Sequence, residues 1–197
     1  IYSRTSTLGP KFGSPLNYNT TGLYAGKYIA VETDASSVTT ASMSYYDEVN
    51  GYFCAKINGV PAITLLEKVQ TGTGFDPGNL PGMEAKGAGP GAQNAHFHFL
   101  KNKQSGEHYF YKFEKEEPSL KGVSATNMSA CADIDKSITG VFNPLQSVMY
   151  YATEDKIYVA HMAPVSASQV FDVSSIGSGF KINGLQLYQQ AWYNLNS

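Results

Sequence analysis

Arginine is nearly missing from this chain: Arg4 stands alone against thirteen lysines in 197 residues. Guanidinium forks for paired recognition of phosphate or carboxylate are therefore almost absent. There is no run of basic residues, and the formal net charge is −2. The clustered cations that neutralise a phosphate backbone are lacking, which argues against nucleic acid as a partner. Charged residues make up only 15%, well below the roughly 25% of an ordinary soluble protein. No apolar run approaches the roughly 20 residues that a membrane helix needs. Two cysteines occur, Cys54 and Cys131, too few and too far apart for a zinc site. Buried thiols acting as small hydrophobes are the expectation, and a disulfide is left open by sequence alone. The chain opens on Ile1 with no charged n-region or apolar h-region, so any signal peptide is expected to have been removed or to lie outside this sequence.

Aromatic residues are abundant. The chain is 42% hydrophobic and 13% aromatic, with 14 Tyr and 10 Phe, a composition opposite to that of a disordered segment. Its length is ample for a core and compatible with one domain. Residues 1–22 hold several turn formers and little periodicity, and read as an N-terminal loop or edge segment. Residues 23–197 read as the folded domain.

Three stretches repeat one pattern: an apolar strand, a short polar turn, then an aromatic strand ending near a basic residue. They are residues 41–57 (ASMSYYDEVNGYFCAKI), 95–113 (AHFHFLKNKQSGEHYFYKF) and 147–162 (SVMYYATEDKIYVAHM). Lys56, Lys112 and His161 align at spacings of 56 and 49 residues. A period of roughly 40 to 50 residues with several strands per unit is the pattern of propeller blades. In the first hairpin Asn50-Gly51 suits the positive φ of a tight turn. In the second, Tyr109, Tyr111 and Phe113 alternate with Phe110 and Lys112, which puts the two sets on opposite faces. Residues 23–32 and 62–69 read as further strands, and residues 184–193 (GLQLYQQAWY) as the opening of another repeat. Residues 123–139 lack helical periodicity, and residues 124–132, mostly small and polar, read as a connecting loop. The fold class expected is all-β, with β-propeller-like repeats of antiparallel blades, about four in number or part of a larger propeller. The alternative is a β-sandwich.

Residues 71–91 hold seven glycines and three prolines. Proline lacks the ladder donor and glycine weakens pairing, so no central strand is expected there. A long surface loop is expected, and long loops often carry function.

The segment 141–162 (VFNPLQSVMYYATEDKIYVAHM) resembles the PKD-like lipoproteins of Bacteroidetes, whose C-terminal half is a β-propeller. The residues that carry the resemblance are Phe142, Asn143-Pro144, Tyr150-Tyr151-Ala152, Glu154-Asp155 and Lys156-Ile157-Tyr158. Residues 45–53 (YYDEVNGYF) and 109–113 (YFYKF) resemble the hairpin and aromatic strand of the same family. The resemblance implies an exported lipoprotein at the outer membrane or cell surface, beside a TonB-dependent transporter and its SusD-like lid. The lipid-bearing N-terminal cysteine of that family is absent here, and a complete propeller of the family would need more chain; the chain is accordingly expected to be part of a longer exported protein. The family has no established catalytic residues, so none is carried over.

Reactive constellations are hard to find. His96 and His98 share a strand face, with His108 on the paired strand, but a metal site would need a third converging ligand and an orienting shell. Asp133 and Asp135 lack the glycine-spaced oxygen ligands of a calcium loop. No pair among Asp47, Glu48, Asp76, Glu84, Glu154 and Asp155 is singled out for glycosidic cleavage. No serine lies in a Gly-x-Ser-x-Gly elbow, and residues 87–91 lack the Lys-Ser/Thr of a phosphate loop. No cofactor or metal is therefore expected. The function expected is non-enzymatic binding of a glycan, a peptide or a neighbouring subunit of the uptake complex; the alternative is a propeller-fold glycoside hydrolase or polysaccharide lyase. The expected contact residues are Phe75 and Met83 as apolar anchors in the Gly/Pro-rich loop, with Tyr188, Trp192 and Tyr193 as a stacking platform.

Overall fold

The computed structural model describes residues 28–33, 41–49, 51–57, 67–68, 80–90, 95–116, 119–144 and 146–186. Their strands fall into three successive groups. The first sheet contains β1 (Ile29–Thr33), β2 (Ala41–Asp47), β3 (Tyr52–Ile57) and β4 (Glu67–Lys68). The second contains β5 (Met83–Pro90), β6 (Ala95–Asn102), β7 (His108–Glu116) and β8 (Ser119–Asn127). The third contains β9 (Thr139–Asn143), β10 (Val148–Ala152), β11 (Lys156–Met162) and β12 (Val165–Asp172). Each sheet follows chain order with antiparallel neighbours, and none closes on itself. The fold is all-β; among the described residues helix is confined to single 3-10 turns at Ile134–Lys136 and Val173–Ser175.

The three hairpins read from sequence are the central pairs β2–β3, β6–β7 and β10–β11. Their turns are built from side chains. Asn102 accepts from the backbone N–H groups of Gln104 and Ser105, while Gly106 takes φ +77 and donates to the Asn102 carbonyl. Gly51 takes φ +75 at the end of the first hairpin turn, and an added Cβ would sit 2.8 Å from Pro81 Cα. In the third turn Thr153 Oγ1 accepts from the Lys156 N–H. Of the expected outer strands, β1 begins at Ile29 and β4 is Glu67–Lys68; residues 23–27, 62–66 and 187–193 lie outside the described residues.

The second sheet is covered on both faces, because alternation along β6 and β7 sends large side chains both ways. Leu100, Tyr111 and Phe113 pack with Met83, Ala85 and Tyr46, the last from the first sheet. Ala95, Phe97, Phe99 and Phe110 pack with Met149, Tyr151, Tyr158 and Ala160 of the third. Fully burying one such large side chain contributes about 1.5–3 kcal/mol, so these two interfaces carry most of the stability. The connection after β8 adds Met128, Cys131 and Ile134 to the second interface, and the Tyr151 hydroxyl pins it by donating to the Ala132 carbonyl.

Two expectations need correction. Residues 71–91 were expected to be loop, yet Met83–Pro90 is strand β5. Gly87 serves close approach: β5 lies against β9, and a Cβ there would fall 1.9 Å from the Gly140 carbonyl oxygen. β5 is an edge strand of its sheet and ends in proline, which the rule against central-strand proline permits. Secondly, residues 124–127, expected as part of a connecting loop, belong to β8. The described residues hold three four-stranded sheets where about four repeats were expected. β1 lies against β5 as β5 lies against β9, so the first strands of successive sheets are neighbours.

Candidate functional site

Of the expected contact residues, Phe75, Tyr188, Trp192 and Tyr193 lie outside the described residues. Met83 is 3% exposed among Tyr46, Leu100 and Tyr111. It is a core residue that starts β5, because the pleat turns its side chain toward the first sheet.

His96, His98 and His108 are buried, and the three do not converge on one point. His96 and His98 face the first sheet, where the Ser44 hydroxyl lies 2.7 Å from His96 Nδ1 and 2.7 Å from His98 Nε2. A hydroxyl has one proton, so it donates to one ring and accepts an N–H from the other. Burial lowers His96 to about 4. Burial, and then the neighbouring His96, lowers His98 to about 3. His108 lies on the opposite face, against Phe99 at 5.7 Å between ring centroids. Among the described residues none meets full hydrogen-bond geometry at either of its ring nitrogens; the Gly106 backbone comes near enough to oppose the lowering of its pKa. Burial lowers it to about 4, helped by the positive charges of Lys101 and Lys86. At neutral pH all three imidazoles are uncharged. Ser44 is 1% exposed, so this Ser–His–His cluster presents no nucleophile to a substrate; it is a polar pin between two sheets.

Asp133 and Asp135 flank the buried Ile134. Asp133 accepts from the Tyr158 hydroxyl and pairs with Lys136. Lys136 first, and Tyr158 second, hold its carboxyl below the usual range, and burial followed by the Asp133 bond pushes Tyr158 up to about 12. This carboxylate is a structural acceptor tying the connection after β8 to β11. Cys131 is a buried free thiol, kept protonated by burial. Among the described residues no group of three or more His, Cys, Asp or Glu is placed to hold a metal ion.

The feature best suited to a ligand is a cleft of about 330 Å³ between the second and third sheets. Its floor is three phenylalanines. Phe97 stacks on Phe142 at 3.9 Å between centroids, and on Phe110 at 5.0 Å. Cross-strand register supplies one wall: Lys112 opposes Ser124 and Phe110 opposes Thr126, so a cation and two hydroxyls stand on the face that carries the rings. Met162, Pro144 and Ser147 line the other side. Ser147 has φ +54, an uncommon conformation for a residue with a side chain, and it sets the rim turn between β9 and β10. Phe97 and Phe110 are nearly covered, while Phe142 and Met162 are half-buried. The sequence placed Phe110 and Lys112 on one face of one strand; that Phe142 joins them is a tertiary fact with no local signal.

No protein-family model matches the chain, and neither a curated protein nor a solved structure matches it.

Proposed function

We propose that this chain is a non-enzymatic binding module made of propeller-like blades. It works at the outer-membrane surface beside a TonB-dependent transporter and a SusD-like lipoprotein, holding a glycan, a peptide or a neighbouring subunit. The cleft with the phenylalanine floor carries the binding half of this reading. It combines apolar rings with a few polar groups, the composition of small-ligand sites. The histidines most able to do chemistry are buried in sheet interfaces instead. The blade reading is supported by three consecutive four-stranded meanders whose first strands adjoin, the arrangement expected of inner strands around an axis. The cell-surface setting rests on the residues of segment 141–162 and their family resemblance.

Co-purification from detergent-solubilised outer membranes tests the setting, with recovery of a TonB-dependent transporter as the expected outcome. Screening the purified chain against glycan and peptide libraries, with Phe142→Ala as the comparison, tests the binding. Turnover of a polysaccharide that is abolished by one Asp or Glu substitution would replace this proposal with a hydrolase or lyase.

A further inference from the structure

We infer that the cleft between the second and third sheets takes the C-terminal end of a peptide whose last residue is aromatic, the ring lying on Phe142 and Met162 and the terminal carboxylate meeting Lys112. This rests on the reading of the chain as a binding module and names the ligand of that site.

Size comes first. About 330 Å³ lies at the low end of the roughly 300–1,000 Å³ typical of small-ligand pockets. It admits one aromatic side chain with its terminal carboxylate, and is too small for a folded partner. Shape follows from the rings: Phe97 and Phe110 are packed away beneath the half-buried Phe142, so a ligand ring meets the Phe142 surface and the flexible Met162 thioether. Sulfur–aromatic and aromatic–aromatic contacts both favour a ring there over an alkyl chain.

Charge selects the other end of the ligand. Among the described residues lining the cleft, Lys112 carries the sole charge, and the Glu114 carboxylate paired with it is the anion a ligand has to displace. Lys112 pairs with Glu114 at 2.6 Å, with side-chain exposures of 37% and 50%. An exposed pair of this kind contributes little, so a ligand carboxylate competes with Glu114 for Lys112. The Ser124 and Thr126 hydroxyls stand beside Lys112 and are able to donate to the second carboxylate oxygen. A sugar would need acceptors as well as donors for its hydroxyl groups. The described lining carries no Asp, Glu, Asn or Gln, which leaves the Ser124, Thr126 and Ser147 hydroxyls as its side-chain acceptors.

The test uses the purified full chain with two probes, N-acetyl-phenylalanine and its neutral amide, titrated by calorimetry and by chemical-shift changes. The acid is expected to bind more tightly than the amide by up to about fivefold, the upper worth of an exposed ion pair. Lys112→Gln is expected to erase that difference while leaving the circular dichroism spectrum unchanged. Phe142→Leu is expected to weaken both probes. Equal binding of acid and amide, insensitivity to Lys112→Gln, or no binding of the acid at 10 mM would overturn the inference. A glycan that binds in a Phe142-dependent way while the acid does not would overturn it and leave the binding-module reading standing. Failure of acid, peptides and glycans alike would remove both.

Discussion

Acidification from pH 7.5 to pH 5 is expected to cost the fold about 6 kcal/mol, through His96, His98 and His108. All three imidazoles are buried, and burial lowers them from 6.5 to about 4, 3 and 4 respectively. With the folded values depressed, the unfolded chain binds the protons first. Above pH 6.5 both states are neutral there and stability is unaffected. Below it each histidine destabilises by about 1.36 kcal/mol per pH unit, which is about 2 kcal/mol at pH 5. The loss levels off only as pH falls through about 4, where His96 and His108 also titrate in the folded state. Asp133, Glu107 and Asp172 have lowered values in the folded state. Their contribution is complete above the unfolded carboxylate range near pH 4 and is lost below it, so they do not dominate this window. A total near 6 kcal/mol rivals the roughly 5–15 kcal/mol of a whole domain. Urea unfolding at a series of pH values, followed by tyrosine fluorescence and circular dichroism, measures the slope directly. His108→Phe should remove about a third of the dependence. It should also raise stability at pH 7.5, since it removes an orphaned buried imidazole whose desolvation costs about 1–3 kcal/mol. A free energy of unfolding that changes by less than about 1.5 kcal/mol between pH 7.5 and 5 would refute the reasoning, because even one such histidine accounts for more.

Gly87→Ala should destabilise by about 1–3 kcal/mol or more, because its Cβ would meet the Gly140 carbonyl. Gly89→Ala two residues on, with nothing within 4 Å of the added carbon, should shift stability by less than about 0.5 kcal/mol; thermal unfolding of the pair makes the comparison. Ser44→Ala removes the hydroxyl shared by His96 and His98 and should cost about 1–3 kcal/mol, read by urea unfolding at pH 7.5. Tyr111, Tyr151 and Tyr158 have values raised above 10, chiefly by burial. The stability tied to their neutral form is therefore full below pH 10 and lost as pH rises above it. Absorbance titration at 295 nm should show a group of tyrosines that ionise only as the chain unfolds.

The central hairpin of the second sheet was legible in sequence because both faces of its strands are packed. In β6, alternate large residues are needed on each side, so His96, Phe97, His98, Phe99 and Leu100 form a visible run that is wholly buried. The outer strands carry no such signal. On β12, Ser166, Ser168, Gln169 and Val170 are exposed, and nothing selects an apolar alternation. β5 was hidden for a different reason. Its Gly87 answers to the backbone of β9, more than 50 residues away in sequence, and glycine spaced by tertiary contact looks the same as glycine spaced for turns.

The candidate site was half-legible for a related reason. Lys56, Lys112 and His161 align in the repeat, and they occupy β3, β7 and β11, the third strand of each sheet. Lys112 sits on the face of the second sheet that looks toward the third, beside Phe110. His161 sits at the matching place on the third sheet, exposed, and alternates with Ala160 and Met162, which face back toward the second. Lys112 and His161 therefore share an address on the forward face of their sheets, whereas chemistry at that address depends on what the next sheet brings. For Lys112 the next sheet brings Phe142 and Met162, and a cation becomes one wall of a pocket. Such a pocket needs a ring on β9 whose nearest partner, Phe97, lies 45 residues earlier. Local pattern supplies the cation and the strand, and only packing between sheets supplies the floor beneath them.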